Sequence, residues 1–282
     1  MAIINFKILD RSSARAQLGK VDAYLSEMKP IERSLKMGLS RNVSLDEFVS
    51  FTEDCVCDWT DEESEKVRNA AEKLSDCLST YNVNELKIIN IIKSNGKEEW
   101  NSAYTRGNSI ILPVKKVAKY SDEKMFELLA HEFFHIYSRY NTEKRRSLYK
   151  LLEFDIAHVF SVPREIKALT LVNPDAIEVV YTEILLEEEF VTAIPLIMID
   201  GDNVDDSKDI LSSIKIKLYL FESGKLVNAN DVPEFIKKLK VNIDHIQHPE
   251  ETLAENFTYL MTKNRDLEYS DLLDEIERIM KA

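Results

Sequence analysis

Two histidines and a glutamate in one short segment have the residue types and the spacing for metal chemistry. Residues 128–137 read LLAHEFFHIY, which places His131 and His135 four residues apart. In a helix this spacing puts both imidazoles on one face, about one turn apart, where both can bind one zinc ion. Glu132 follows the first imidazole and is placed to take a proton from a water molecule beside the metal.

The surroundings of these three residues favour a metal site. Uncharged, mostly apolar residues flank them on both sides, which predicts a buried helix. Two buried imidazoles and a carboxylate need partners, and one metal ion satisfies all three. In the alternative, His131 and His135 are core residues bonded to backbone and Glu132 lies at the rim, so each group needs its own explanation.

The segment His131-Glu132-Phe-Phe-His135 resembles the HExxH signature of the zincin metallopeptidases. One zincin branch continues with a glycine and a third histidine, but this sequence has Ser138 and Asn141 at those positions, so that branch is excluded. The resemblance therefore implies a carboxylate ligand on a later helix, as in the gluzincins, the thermolysin-like group.

A downstream segment is similar to the ExxA(D/E) helix of several gluzincins. Residues 249–257 read PEETLAENF. Carried over, the resemblance makes Glu251 the third zinc ligand and Glu255 the acid that bonds the far nitrogen of a zinc-binding histidine. The alternative is that both glutamates lie on the solvated face of an amphipathic helix. Other acids that compete for the ligand position are Glu250, Glu183 and the run Glu187–Glu189.

The resemblance implies a zinc-dependent peptide-bond hydrolase with one Zn²⁺ per chain, a peptide or protein substrate, and Glu132 as general base. The alternative function is a catalytically inactive zincin-fold protein that serves as a binding or scaffold module. A third possibility is that the HExxH match is accidental. Nothing in the sequence selects an oxyanion-stabilising residue among the candidates, which are Tyr137, Tyr140, Tyr149, His245 and His248.

The elements around the HExxH segment indicate how these side chains are positioned. Ser121 is placed to cap a helix that runs to about Tyr140. The β-branched run Leu86–Ile92 predicts a buried strand, and residues 99–113 predict two short strands joined by a turn at Arg106-Gly-Asn108. Pro113 suits a strand at a sheet edge, so Ser109–Leu112 is a candidate edge strand for binding an extended substrate.

Strand and helix patterns alternate irregularly along the whole chain, which predicts an α+β fold. We expect a single zincin-like domain over residues 1–282, with a small mixed sheet whose edge strand packs on the buried active-site helix. Its expected parts are a mostly helical region (1–85), the sheet and active-site helix (86–141), and a mainly helical C-terminal part that carries the third ligand (142–282). Patterns that predict further elements occur at Asp61–Tyr81 (helix), Ile177–Ile199 (hairpin), Ile214–Phe221 (strand), Pro249–Lys263 (helix) and Tyr269–Met280 (helix).

Composition limits the classes of partner. The 282 residues are 44% apolar and carry a formal net charge of -13, which opposes binding to nucleic acid. No apolar run reaches the roughly 18 residues of a membrane helix. The N-terminus lacks a secretory signal pattern, so we expect a cytoplasmic protein, with export by a signal-less route as the alternative. Cys55, Cys57 and Cys77 do not form a disulfide framework.

Overall fold

The computed structural model describes residues 4–83, 86–157, 162–199, 214–240 and 248–282. Their mixture of helices and sheets confirms the α+β class. The helices are α1 (Arg11–Leu18), α2 (Ala23–Glu27), α3 (Pro30–Met37), α4 (Leu45–Asp54), α5 (Asp61–Leu78), α6 (Val114–Lys119), α7 (Asp122–Tyr140), α8 (Thr142–Leu151), α9 (Arg164–Lys167), α10 (Pro233–Leu239), α11 (Pro249–Thr262) and α12 (Ser270–Lys281). The strands are β1 (Asn5–Ile8), β2 (Ile88–Ser94), β3 (Tyr104–Arg106), β4 (Ser109–Pro113), β5 (Asp155–Ile156), β6 (Val180–Leu186), β7 (Glu189–Ile199), β8 (Ile214–Leu220) and β9 (Lys225–Asn228).

The first sheet is mixed and has the order β1-β2-β4-β3. Strands β1, β2 and β4 are parallel, whereas β3 pairs antiparallel with β4 through Thr105 and Ile110. Gly107, with φ +54°, makes the tight turn between β3 and β4. The edge strand next to the predicted active-site helix is therefore β3.

The expectation that Ser109–Leu112 forms the edge strand is wrong. These residues belong to β4, which lies between β2 and β3 and is buried along its whole length. Pro113 does not prevent this position, because it is the last residue of the strand and the ladder needs no further N–H from it.

Helix α7 is the central helix of the fold and is buried on nearly all sides, as its apolar sequence predicts. Ser121 caps it by accepting a hydrogen bond from the backbone N–H of Lys124. The ring of Phe257 on α11 lies 5.9 Å from that of Phe133 and 5.7 Å from that of Phe134. Burial of each such ring contributes roughly 1.5–3 kcal/mol, so this aromatic cluster fixes α11 against α7.

The second sheet is antiparallel and has the order β5-β6-β7-β8-β9. Strands β6 and β7 form the predicted hairpin, and β8 extends it. The C-terminal part thus combines helices with a five-stranded sheet. Across the described ranges, none of the helices has the length and apolar character needed to cross a membrane.

Candidate metal centre

The two histidines of the HExxH segment face one carboxylate of α11. His131 and His135 lie one turn apart on α7, with ring centroids 4.8 Å apart. The Oε2 atom of Glu251 is 3.2 Å from Nε2 of His131 and 3.6 Å from Nε2 of His135. The three residues each offer a ligand atom, and these atoms lie within 4.8 Å of one another.

The outer nitrogen of each imidazole faces a second carboxylate. Glu255 Oε2 lies 3.7 Å from Nδ1 of His131. Glu250 Oε1 lies 3.2 Å from Nδ1 of His135. Acids in these positions fix the tautomer and the orientation of a ring, and they leave Nε2 free to bind a cation.

The role of Glu250 was not predicted from the sequence. The sequence identified it only as an alternative to Glu251 for the third metal ligand, whereas the structure places it beside the outer nitrogen of His135. Its side chain is 1% exposed. Besides facing His135, it accepts hydrogen bonds from Ser138 Oγ (2.9 Å) and from Tyr149 OH (2.6 Å). A buried carboxylate with these partners is held in one orientation.

Helix α11 begins at Pro249, and its start explains why these acids stand where they do. Proline is favoured at the first helical position, and the partial positive charge of a helix N-terminus stabilises the adjacent carboxylates of Glu250 and Glu251. His248 caps the helix, because its Nδ1 accepts the backbone N–H of Glu250 (3.2 Å). His248 is buried, and burial lowers its pKa, so at neutral pH its ring is uncharged and can act as this acceptor.

Glu132 is 3% exposed and contributes to the wall of the cleft. Within the described ranges, its Oε2 is a buried atom without a hydrogen-bond partner. Burial raises the pKa of Glu132 to about 7, and repulsion from Asp175 adds to the rise. A carboxylate with these properties can both accept and return a proton near neutral pH.

Residues 173–175 form a second wall that the sequence did not predict. Asn173 Nδ2 donates to Glu251 Oε1 over 3.2 Å. A carboxylate oxygen of Asp175 lies within 4.8 Å of ligand atoms of Glu132 and His135. The Asn-Pro-Asp sequence indicates a turn, but it contains no signal that the turn folds against α7.

The carboxylates around the two imidazoles shift the pKa values of the groups in the centre. Burial opposes the charged form of His131, yet the adjacent carboxylates of Glu251 and Glu255 outweigh this effect and raise its pKa to about 9. Burial likewise opposes charge on His135, but the acids around it raise its pKa well above the usual value. The same pairing overcomes burial at Glu251 and lowers its pKa well below normal. The carboxylates therefore favour positive charge between the two imidazoles. When the imidazoles lose their extra protons, a bound divalent cation supplies this charge instead.

The donor set fits zinc. Two imidazole nitrogens and a carboxylate oxygen are its usual ligands at catalytic sites, and neighbouring ligands of a tetrahedral zinc are roughly 3.4 Å apart. The distances of 3.2 Å and 3.6 Å from Glu251 Oε2 to the two Nε2 atoms lie on either side of that spacing.

His131, His135 and Glu251 line one cleft of about 670 Å³. Edge-strand residue Tyr104 and the preceding Ser102 and Ala103 also line it. Among its described lining residues, carboxylates outnumber lysines seven to three. The acids are Glu32, Glu99, Glu127, Glu132, Asp175, Glu251 and Glu255.

Several sequence candidates lie elsewhere. Tyr137 is buried in the core and Tyr149 bonds Glu250, and the cleft is instead lined by Tyr104 and Tyr120. Tyr140, Glu183 and Glu187–Glu189 are not among the residues that line the cleft. His245 lies outside the described residues.

Comparison with known proteins relates the same part of the chain to zinc peptidases. A family model described as "Putative zinc dependent peptidase (DUF5700)" matches residues 96–156, under a quarter of the chain. The match includes α7 with its two histidines and Glu132, and it ends before Glu251. No curated protein and no solved structure matches the chain.

Proposed function

We propose that this protein is a zinc-dependent peptidase of the gluzincin type, with one zinc ion held by His131, His135 and Glu251. The observation that carries the proposal is the convergence of three ligand atoms, from helices about 120 residues apart in sequence, within 4.8 Å of one another. The zinc-peptidase description of residues 96–156 supports it independently.

When bound, zinc would acidify a water molecule and polarise the carbonyl group of the scissile bond. The protein supplies the remaining chemistry. Glu132 takes a proton from the attacking water and delivers it to the nitrogen of the leaving amine. Glu250 and Glu255 hold the two imidazoles in the orientation in which both Nε2 atoms face Glu251. Burial of α7 keeps this site partly dry, which strengthens its electrostatic interactions.

The arrangement of elements also supports a zincin-like catalytic domain. A mixed sheet with the antiparallel edge strand β3 lies beside the helix that carries HExxH, and a later helix supplies the carboxylate. We propose that the whole chain works as one such domain, because α11 completes a site that begins on α7.

The test compares the wild type with Glu132→Gln and His131→Ala. We expect wild-type protein to contain about one zinc per chain and to cleave peptides in a chelator-sensitive manner. Glu132→Gln should retain the metal but lose hydrolysis by roughly 100-fold or more, since the general base contributes that much. His131→Ala should lose the metal.

Two results would contradict the proposal. If Glu132→Gln cleaves as fast as wild type, the assignment of the general base is wrong. If wild-type protein binds zinc but cleaves no member of a diverse peptide library, the alternative of a non-catalytic binding module is favoured.

A further inference from the structure

One wall of the cleft, the segment that carries Asp175, is bonded to the edge strand β3. One carboxylate oxygen of Asp175, Oδ1, accepts hydrogen bonds from the backbone N–H of Thr105 (2.8 Å) and from its hydroxyl (2.5 Å). Arg139 on α7 reinforces this connection by donating to Thr105 Oγ1 over 2.8 Å and to the Pro174 carbonyl over 2.9 Å. The segment that carries Asp175 is thereby fastened to the edge strand.

This connection limits how far a peptide can pair with β3. An extended peptide adds to a sheet edge through backbone N–H and C=O groups. The N–H of Thr105 is already used by Asp175. Ser102 and Tyr104 line the cleft, but Thr105 does not. An extended substrate can therefore pair with the strand only on the N-terminal side of Thr105, and Asp175 lies where this pairing stops.

The region around Asp175 is suited to a cation. Both hydrogen bonds that the Asp175 carboxylate accepts within the described part of the chain end on Oδ1, which leaves Oδ2 for a ligand. A carboxylate oxygen of Asp175 lies within 4.8 Å of ligand atoms of Glu132 and His135. Glu132 is itself nine-tenths buried and has an unpartnered Oε2. The carboxylates of this region would repel the C-terminal carboxylate of a peptide, whereas a protonated amine would satisfy them.

We infer that Asp175 binds the α-ammonium group of a peptide, so that the substrates are peptides with a free amino terminus and the first residue is released. The inference rests on the proposed peptidase function. The nitrogen and the carbonyl carbon of one residue are about 2.5 Å apart, so an ammonium group at Asp175 places the first carbonyl beside Glu132. One water is consumed, the first C–N bond breaks, and the amine of the shortened peptide takes the proton from Glu132.

The test uses one peptide library in two forms, with free and with Nα-acetylated amino termini. In wild type, kcat/KM for the free form should exceed that for the acetylated form by 100-fold or more. Asp175→Asn is nearly isosteric, and it should narrow this ratio at least tenfold, mainly through KM, with unchanged zinc content. Glu127→Gln is the matched control. It removes the same charge from the cleft on an earlier turn of α7, and the ratio should stay within twofold of wild type.

The inference is wrong if wild type cleaves both forms within threefold of each other, a result that needs no variant and therefore does not depend on how well Asp175→Asn folds. It is also wrong if folded, zinc-loaded Asp175→Asn keeps the wild-type ratio. The inference would likewise be wrong if Asp175→Asn cleaved the free and the acetylated peptides faster by the same factor. Asp175 would then hinder substrate binding and not recognise the amino terminus.

Binding separates this inference from the proposed function. Tetra-alanine amide and its Nα-acetyl form are titrated into zinc-loaded wild type and into zinc-loaded Asp175→Asn by calorimetry. We expect the free amine to bind wild type at least tenfold more tightly than the acetylated form, and this difference to disappear in the variant. If no peptide is hydrolysed but the difference persists, amine recognition is supported and the peptidase proposal fails. If the two forms bind wild type equally, amine recognition is wrong whatever the hydrolysis assay shows.

Discussion

Glu250 and Glu251, consecutive residues of α11, face the two opposite nitrogens of one imidazole. Oε1 of Glu250 lies 3.2 Å from Nδ1 of His135, and Oε2 of Glu251 lies 3.6 Å from Nε2 of the same ring. His135 is 1% exposed, so its orientation depends on these contacts and on the surrounding core. The start of α11 therefore sets the geometry of the candidate metal centre.

Glu250→Gln should weaken zinc affinity by roughly 10–100-fold, which is the usual effect of losing such a supporting carboxylate. The amide still accepts a hydrogen bond, but it no longer stabilises the polarised ring. Competition with a chelating dye measures the affinity. Glu268→Gln changes an exposed glutamate and should bind zinc like wild type. Unaltered affinity in Glu250→Gln would show that the ring is held without this carboxylate.

The metal-free protein should lose stability as pH rises. The folded-state pKa of His131 is about 9, above the ordinary value of 6.5, so its contribution is complete below pH 6.5 and is lost as pH rises towards 9. The pKa of Glu132 is also raised, from 4.5 to about 7. Its contribution to stability is therefore likewise lost as pH rises, but at lower pH, as the pH approaches 7. We expect the free energy of unfolding to fall by on the order of 2 kcal/mol between pH 6 and pH 9.

Zinc should remove or reverse this dependence, because it binds the deprotonated imidazoles. Urea titrations with chelator and with excess zinc, at both pH values, measure the two trends. His131→Ala should flatten the metal-free trend. A chelated wild-type protein that is more stable at pH 9 than at pH 6 would contradict the assignment of charge to His131.

Phe257→Ala should destabilise the protein by roughly 3–5 kcal/mol, because the ring is fully buried between Phe133 and Phe134. It should also weaken zinc binding, since α11 loses its main apolar contact with α7. Phe190 provides the control, because it is 74% exposed and its replacement by alanine should change stability by about 0.5 kcal/mol or less. Equal effects of the two substitutions on thermal unfolding would show that the cluster does not fix α11.

Arg139→Ala should loosen the connection between the edge strand and residues 173–175. Arg139 donates to Thr105, Gly107 and Pro174, and these bonds lie between α7 and the cleft wall. Hydrogen exchange of the Thr105 amide should become at least tenfold faster, because less structure holds Asp175 against it. Arg278→Ala, at an exposed arginine of α12, should leave that rate unchanged. Unaltered exchange in Arg139→Ala would mean that the hydrogen bonds from Thr105 to Asp175 hold residues 173–175 against the strand without Arg139.

Local sequence patterns were sufficient to predict the helices that carry the candidate site. The cap at Ser121, the proline at 249 and the apolar residues of α7 predict boundaries within one residue of those observed. These signals act over a few residues, so they can be recognised without knowledge of the fold. The roles assigned to His131, Glu132, His135, Glu251 and Glu255 stay predictions, although the structure brings these side chains together.

Contacts between distant segments could not be predicted in this way. Glu250 reaches Ser138 across 112 positions, and Asp175 reaches Thr105 across 70. Strand order is another long-range property, so local patterns identify neither β3 as the edge strand nor β1 as a member of the sheet. The pairing of β1 with β2 depends on residues more than 80 positions apart.

The separation of 120 positions between His131 and Glu251 has a consequence for synthesis on the ribosome. A nascent chain that has emerged as far as residue 240 contains both imidazoles and Glu132 but lacks the helix that completes the proposed centre. Under the proposed function, hydrolytic competence therefore arises only after residues 249–262 have also been translated and α11 has packed on α7.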